Sequence, residues 1–314
     1  MDDGQKLRVR EVMSRELCIL VPVWHQYRWL APLTFRLLEA QWPDHPPIYF
    51  AGLTSDEAGS LPHVPVSDVG RRTNWSWMTG DGMRQISEKG YDLVYLIAEE
   101  HVPLGPCHPK HLNETLPQWL DELSASYIGL MGWDNRRYPS RSPRLSASRG
   151  CMMHLNGPGD PRFHLHPALW RGEALAACCA LAGRNPDKNG SAWHFEKVND
   201  KLDAPLEERW KRGCYQVAAR RASLRPPGRA ALLGGCVERF VFNKLMALYP
   251  HIPGQGIADA YAHAVGFDDF FCDGPYPMFY SGLMVKGSIN PYCEKFLRRT
   301  PEGTALLAEL RKAQ

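Results

Sequence analysis

Two stretches of the sequence combine residue types that could carry chemistry. The first, YDLVYLIAEEHVPL at 91–104, is largely apolar and then places Glu99, Glu100 and His101 in a row. Adjacent carboxylates repel each other and lose solvation when buried, so they need a cation, a partner or open water. Two interpretations follow: the carboxylates hold a divalent cation beside phosphate groups, or they lie in a solvent-exposed loop without a special role.

The second stretch is Trp193-His194-Phe195-Glu196, about ninety residues later. A carboxylate between large aromatic side chains can have a raised pKa, which suits a general base. The alternative is structural: Trp193 and Phe195 would be anchored in the core, and Glu196 would begin a helix, where the helix dipole favours a negative charge.

Charge and composition give no general argument for a nucleic-acid-binding protein or for a disordered chain. The chain has 37 basic and 34 acidic residues, a formal net charge of +3 and 44% hydrophobic residues. This near balance gives no general argument for nucleic-acid binding, and the apolar content is enough for a substantial core. Paired arginines could still hold an anion or lie on a solvated face; the pairs are Arg71, Arg72, Arg136 and Arg137.

Cysteine usage and the N-terminus predict a cytoplasmic protein. The nine cysteines are odd in number and form no CxxC motif, which favours reduced thiols. The possible metal motifs at 151–154 (CMMH) and 164–166 (HLH) lack a matching second pair, so ordinary side chains are favoured. Residues 1–17 do not resemble a signal peptide, and the apolar run 17–24 is too short to span a bilayer. Peripheral contact with the inner membrane face stays possible.

Predicted strands and helices alternate from residue 16 to residue 133. Asn74 is a candidate helix cap and Gly90 a helix stop. The alternation predicts right-handed βαβ units in a mostly parallel sheet flanked by helices. The predicted strands are 16–24, 46–53, the 91–104 stretch and 127–133, and the predicted helices are 28–42, 74–90 and 108–126.

Ligands of such sheets bind beyond the carboxyl ends of the strands. Three polar groups fall at these ends: Glu99 to His101, the Trp24-His25 pair, and Asp56-Glu57. The sequence therefore predicts that these groups meet at one edge of the sheet.

The second half of the chain alternates less regularly. The composition of residues 134–162, rich in Arg, Ser, Gly and Pro, predicts a long loop with a possible strand at 151–155. Further predicted elements are a strand at 163–170, a helix at 171–183, a strand at 212–221, a helix at 238–250 and a helix at 301–314. We expect an N-terminal tail at 1–15, one domain at 16–290 and a helical tail at 291–314.

The order of several segments resembles a family of bacterial glycosyltransferase-like proteins of surface-polysaccharide assembly. That family has a GT-A type fold, a Rossmann-like nucleotide-diphospho-sugar transferase fold. The resemblance covers most of residues 16–200 and is weak at the C-terminus. The segments that carry it are VPVW, YDLVYLIAEEHVPL, ALWRGEAL, SAWHFE and the late Met284-Val285-Lys286-Gly287.

The resemblance implies a role for the acidic stretch. In the family the third strand typically ends in Glu-Asp-aromatic, which Glu99, Glu100 and His101 replace here. Glu100 would bind Mn²⁺ or Mg²⁺ or position the donor diphosphate, with Glu99 beside it, and His101 could stack or become a ligand. Glutamate in place of aspartate lengthens the ligand arm, which could weaken or remove metal dependence.

The resemblance also implies the other parts of an active site. Glu196 would be the general base of an inverting, hexosyltransferase-like enzyme that uses a nucleotide-diphosphate sugar and a hydroxyl acceptor (glycan, lipid-linked or small molecule). Trp193 and Trp170 would lie on the acceptor side. The nucleotide would be lined by Val21, Pro22, Val23, Trp24 and His25.

Two other functions remain open. A relative that kept the fold but lost transfer would be a sugar-nucleotide-binding or scaffold protein. A nucleotidyltransferase of the same general fold would need a glycine-rich, basic loop after the first strand, and VPVWHQY has no glycine.

Overall fold

The computed structural model describes residues 16–130, 152–154, 163, 165–183, 192, 195, 214–217, 220–223, 270–279, 282–285, 287–298 and 300–314. The strands are β1 Glu16–Pro22, β2 Ile48–Ala51, β3 His63–Val64, β4 Tyr91–Leu96, β5 Tyr127–Gly129, β6 Met152–His154, β7 Ala168–Arg171, β8 Cys214–Val217, β9 Arg220–Ser223, β10 Phe270–Asp273, β11 Met278–Phe279, β12 Met284–Val285 and β13 Ser288–Ile289. The α-helices are α1 Ala31–Gln41, α2 Ser55–Ala58, α3 Trp75–Glu88, α4 Leu116–Glu122, α5 Gly172–Gly183, α6 Pro291–Leu297 and α7 Pro301–Ala313. Short 3₁₀ turns span Arg28–Leu30 and Val69–Arg71, and a π-helical turn spans His111–Thr115.

The central sheet has the strand order β3-β2-β1-β4-β7-β5-β8-β6. The pairs β1–β2, β1–β4, β2–β3 and β5–β8 are parallel. The fold class is therefore α/β with helices flanking the sheet, as the sequence predicts. Parallel strand pairs only slightly outnumber antiparallel pairs in this sheet. β7 runs antiparallel to both β4 and β5, and β6 runs antiparallel to β8.

The reversed direction of β7 is the main departure from simple βαβ alternation. The chain returns beside β5, where Leu130 N–H donates to Pro167 C=O at 2.9 Å and Arg171 N–H donates to Ser126 C=O at 3.0 Å. These bonds tie the two ends of β7 to the segment around β5. As a result β4 and β5, which follow each other in the chain, are not neighbours in the sheet.

Both faces of β1 are buried, which explains its continuous apolar sequence. Ile19, Val21 and Val23 belong to a first core cluster, which contains side chains of α1 and α4. Cys18 and Leu20 belong to a second cluster, which contains side chains of α3 and α5. Because successive side chains of a strand point to opposite faces, the two clusters lie on opposite sides of the sheet.

A third core cluster joins the C-terminal helices to the rest of the chain. Leu307 and Leu310 of α7 share it with Leu33 of α1 and with Val102, which follows β4. Residues 291–314 therefore pack against the same body that carries β4. The predicted domain boundaries stay a prediction.

Several predicted ends shift by a few residues. Asn74 caps α3 as predicted, since its Oδ1 accepts the N–H of Trp77 at 2.9 Å, and Gly90 follows with φ +95°. β1 ends at Pro22 rather than at 24. The predicted helix at 238–250 lies outside the described residues. Among the helices that are described, none is both long enough and apolar enough to cross a membrane.

Candidate active site

The acidic stretch lies where the sequence places it, just beyond the carboxyl end of β4. β4 pairs with β1 in parallel register, so the carboxyl ends of the two central strands lie at the same edge of the sheet. Glu99 is buried there, with 3% of its surface exposed. Its Oε1 accepts the backbone N–H of Trp24 at 3.1 Å, and its carbonyl accepts the hydroxyl of Thr34 at 2.7 Å.

These two hydrogen bonds hold the acidic stretch against neighbouring parts of the fold. Trp24 is the second residue after β1, and Thr34 is a fully buried residue of α1. Glu99 thus connects β4 to β1 through its side chain and to α1 through its backbone. The expectation of an exposed loop is wrong for Glu99, because its carboxylate is buried and partnered.

Poor solvation raises the pKa of both neighbouring carboxyls. Burial raises the pKa of Glu99 to about 8, with a further rise from the charge of Glu100, while hydrogen bonds to the carboxylate oppose the rise. Burial also raises the pKa of Glu100 to about 7. The Glu100 side chain is 28% exposed, so it is the one of the pair that solvent or a ligand can reach.

The residues here fit a cation only in a limited way. Across the described part of the chain, no three His, Cys, Asp or Glu side chains form a group that could hold a metal. Glu100 Oε1 lies 4.0 Å from His101 Nδ1. Mg²⁺ and Mn²⁺ can be held by a single carboxylate when phosphates and water supply the remaining ligands. The predicted Mn²⁺ or Mg²⁺ site therefore stays a prediction, with Glu100 as its one reachable carboxylate of the pair.

His101 is more deeply placed than Glu100. It is 7% exposed, and its ring packs edge-on against His166 with centroids 5.1 Å apart. Its carbonyl accepts the hydroxyl of Tyr276 at 2.8 Å. Burial and ring packing give His101 a structural setting, and its predicted ligand role remains a prediction.

A late turn of the chain contacts the acidic stretch, which sequence reasoning did not predict. Leu283 N–H donates to Glu100 C=O at 2.9 Å, and the fully buried Asn290 donates its side-chain N–H to Gly282 C=O at 3.1 Å. Gly287 N–H donates to Tyr27 Oη at 2.8 Å. The late glycine of the Met-Val-Lys-Gly segment was a usable signal, because Gly287 has φ +83°.

Gly282 is packed directly against Glu100. It has φ +70°, and a Cβ there would lie 3.2 Å from both Glu100 Cγ and Glu100 O. We expect Gly282→Ala to lower the unfolding free energy by about 1 kcal/mol from backbone strain and by about 1–3 kcal/mol more from the contact. Gly287→Ala is the control, since Gly287 has φ +83° and nothing lies within 4 Å of a Cβ placed there. Urea denaturation of both variants measures the difference; equal losses would mean that Gly282 does not press on Glu100.

The predicted nucleotide-lining residues divide into two groups. Val21, Pro22 and Val23 are buried, so in this structure they support the site from beneath and do not line it. Trp24 and His25 are half-buried at the end of the strand, with ring centroids 4.6 Å apart. Only these two offer side-chain surface to a ligand.

Trp170 does not fit its predicted place on the acceptor side. Its indole is fully buried and packs against Tyr127, Phe163 and Phe195 with centroids 4.7, 4.8 and 6.0 Å apart. A side chain without exposed surface cannot contact an acceptor, so the assignment to Trp170 is corrected to a core residue. Phe195 is a core anchor too, as the structural alternative predicts. Trp193 and Glu196 lie outside the described residues.

Sequence reasoning offered Arg72 as a possible anion ligand, and the structure places it with Arg28, which the sequence analysis did not single out. Arg72 Nη1 donates to both carboxylate oxygens of Glu57, at 2.9 and 3.0 Å. Arg28 Nη1 lies 3.7 Å from Glu57 Oε1 and donates to His25 C=O at 3.3 Å. Arg71 lies 4.5 Å above the ring of Trp77 instead. The other predicted pair, at 136–137, lies outside the described residues.

Comparison with known proteins gives little beyond this geometry. No protein-family model matches the chain, and no curated protein matches it. Among solved structures, the chain is similar to a glycosyltransferase involved in the glycosylation of the major capsid of PBCV-1. The identity is 12% over 68% of this chain and 95% of that chain, with a TM-score of 0.29. A similarity this low carries no argument about activity.

Proposed function

We propose that this chain is a glycosyltransferase that moves a sugar from a nucleotide-diphosphate donor to a hydroxyl acceptor. The observation that carries the proposal is the acidic pair at the shared edge of β1 and β4, in which the buried Glu99 accepts the N–H of Trp24 and Glu100 stays reachable. This edge of an α/β sheet is where nucleotides commonly bind. The sequence resemblance supplies the reaction class.

The donor would lie across the ends of the two strands. Trp24 and His25 offer the aromatic surface for the nucleobase, and Glu100 would face the diphosphate. The buried Glu99 would fix the relative position of the two strand ends, since its oxygen accepts the N–H of Trp24. These roles follow from position and burial, and direct binding measurements test them.

The proposed transfer inverts the configuration at the sugar. Glu196 takes the proton of the acceptor hydroxyl as the oxygen attacks the anomeric carbon. The bond from that carbon to the donor phosphate breaks, and the nucleoside diphosphate leaves with the electron pair. Bound Mn²⁺ or Mg²⁺ would neutralise charge on the leaving diphosphate. The acceptor is a glycan, a lipid-linked sugar or a small molecule, with Trp193 beside it.

A sugar-nucleotide-binding protein without transfer activity is the second candidate. It is favoured by one observation, the use of Glu99 as a buried structural carboxylate and not as an open ligand. Donor hydrolysis separates the two functions. A transferase slowly hydrolyses its own donor, whereas a binding protein holds the donor intact.

The decisive experiment is a panel of nucleotide sugars with and without Mn²⁺. A bound donor at a hundred times its Kd should add about 2.7 kcal/mol to the unfolding free energy, which a thermal-shift assay detects. Hydrolysis of the stabilising donor is then followed by release of the free sugar. Stabilisation without any hydrolysis supports the binding protein, and no stabilisation by any member of the panel contradicts both functions.

Glu100→Gln is expected to weaken nucleoside-diphosphate binding or to remove its Mn²⁺ dependence. The substitution keeps the shape of the side chain and removes its charge, and loss of one metal-binding carboxylate should cost at least about tenfold in affinity. Isothermal titration with UDP and GDP, with and without Mn²⁺, measures this. The exposed Glu114→Gln serves as the control. If donor affinity and metal response both match those of the control, Glu100 has no part in binding.

A further inference from the structure

Arg28, Arg72 and Glu57 form a compact charged group, here called the arginine cluster. Arg28 begins the 3₁₀ turn after β1, Glu57 lies in α2 after β2, and Arg72 follows the second 3₁₀ turn. The three side chains come from segments far apart in the chain and meet at Glu57. The short backbone run from Trp24 to Arg28 joins the cluster to the acidic stretch, because Trp24 N–H is bound by Glu99.

Glu57 occupies only part of the hydrogen-bonding capacity of the two arginines. Each guanidinium has five N–H donors. Arg72 uses Nη1 for both oxygens of Glu57, and Arg28 uses Nη1 for His25 C=O. Within the described part of the chain, the Nε and Nη2 atoms of both arginines have no protein acceptor. The side chains are 53% exposed for Arg28 and 22% exposed for Arg72.

Glu57 is itself held in place. Its Oε2 accepts the N–H of Thr54 at 3.1 Å, while Thr54 Oγ1 accepts the N–H of Glu57 at 3.3 Å, which forms a capping box. Burial would raise the pKa of Glu57, but the hydrogen bond from Thr54 and the contacts and charges of Arg72 and Arg28 hold it below its usual value. A fixed, ionised carboxylate therefore braces Arg72 and limits its rotation.

The balance of charge at the cluster is positive. Glu57 can offset one of the two guanidinium charges. Burial, together with the charges of Arg72 and Arg28, lowers the pKa of His25, so the neutral imidazole is favoured. Asp68 accepts the N–H of Gly70 at 2.9 Å and Asp56 is exposed, and in the described part of the chain neither carboxylate forms an ion pair with Arg28 or Arg72.

We propose that the arginine cluster is a binding site for phosphoryl groups, with Arg72 braced by Glu57 as its main ligand and Arg28 as the second. Guanidinium groups suit this ligand because they donate two parallel hydrogen bonds to phosphate oxygens. The assignment to a bound diphosphate rests on the proposed function, whereas the anion site itself does not. At this site the two guanidinium groups would balance the negative charge of the phosphates without a divalent cation.

The experiment uses inorganic pyrophosphate as the probe, titrated calorimetrically into the full chain in EDTA at fixed ionic strength. Arg72→Gln is expected to weaken pyrophosphate binding by about 10- to 100-fold, since a charge-assisted bidentate contact is lost. Arg84→Gln is the matched control, because Arg84 is an exposed arginine of α3 that pairs with Asp81 and Glu88. The pyrophosphate affinity of Arg84→Gln should stay within about twofold of wild type, because salt screens the effect of a distant surface charge.

A second variant guards against misfolding. If Arg72→Gln loses its cooperative melting transition, Arg28→Gln decides, because Arg28 is more exposed and its loss leaves the Glu57–Arg72 pair intact. A roughly tenfold weaker pyrophosphate affinity in a folded Arg28→Gln supports the site. Wild-type protein that binds no pyrophosphate in EDTA, or variants at either arginine that bind as tightly as Arg84→Gln, would overturn it.

Competition identifies the source of the phosphate. Displacement of pyrophosphate by UDP, GDP or CDP assigns the site to the donor, and displacement by a soluble prenyl phosphate assigns it to a phosphorylated acceptor. Displacement by neither overturns the assignment to a donor or an acceptor phosphate. If pyrophosphate binding depends on Arg72 but no nucleotide sugar is bound or hydrolysed, the anion site stands and the proposed transfer reaction fails.

Discussion

Replacement of Glu196 by glutamine is expected to lower kcat by about 10²–10⁴-fold while donor affinity stays nearly unchanged. A general base of this kind contributes a rate factor of that size. Glutamine keeps the volume and most of the hydrogen bonding, but it cannot take the proton of the acceptor hydroxyl. Turnover is measured under saturating donor and acceptor, and donor affinity is measured separately by calorimetry.

The control is Glu173→Gln, an exposed carboxylate in the first turn of α5. That variant should lose only about 0.3–1 kcal/mol of stability, from its interaction with the helix dipole, and keep its turnover. The structural alternative for Glu196 predicts the same small loss. If kcat of Glu196→Gln stays within about threefold of wild type, the fall is far smaller than the loss of a general base causes. That result would remove Glu196 from the mechanism.

Glu99→Gln is expected to stabilise the folded protein at alkaline pH. The carboxyl of Glu99 has an ordinary pKa of 4.5 and a pKa of about 8 in the folded protein, mainly because it is buried. Glutamine keeps an oxygen that can accept the N–H of Trp24, and it carries no charge to desolvate. Above about pH 8 the variant should exceed wild type in unfolding free energy by a few kcal/mol.

The sign follows from proton binding. Between the unfolded and the folded pKa, the folded state keeps a proton on Glu99 that the unfolded state has lost, so unfolding releases it. The stabilising effect of that proton is complete below pH 4.5 and is lost as the pH rises through about 8. Urea denaturation from about pH 5 to pH 9 should therefore show a falling wild-type curve and a flatter Glu99→Gln curve.

Glu302→Gln is the control for this series, because Glu302 is exposed in the first turn of α7. Its curve should run parallel to that of wild type across the pH range. Parallel curves for wild type and Glu99→Gln would contradict the idea of a buried, poorly solvated carboxyl. If Glu99→Gln is more stable than wild type but binds the donor more weakly, then the carboxyl of Glu99 serves function and lowers the stability of the fold.

The strand-rich first half of the fold was predictable because its signals are local. The apolar run of β1 and the Asn74 cap of α3 each depend on a few consecutive residues. The direction of β7 was not predictable, because the short sequence ALWR fits either direction of a sheet. Only bonds to residues about forty positions earlier in the chain, such as the one from Leu130 to Pro167, fix it.

The candidate site was predictable to a similar extent. The position of Glu99 and Glu100 at a strand end followed from the pattern, but their different exposure did not. The deeper burial of Glu99 goes with the bond of its Oε1 to the N–H of Trp24, 75 positions earlier in the chain, which no local pattern shows. Trp170 was misassigned for the same reason, since an aromatic residue in a short motif has the same letter whether it faces a ligand or the core.

The reversed strand β7 also bears on how the chain folds during synthesis. β4 is complete at Leu96, but its second neighbour ends only at Arg171. Until that part of the chain has been made, one edge of β4 and both edges of β5 lack their native partners. Unpaired apolar strand edges invite association with other chains. The nascent protein therefore presents unpaired strand edges while the intervening residues are translated.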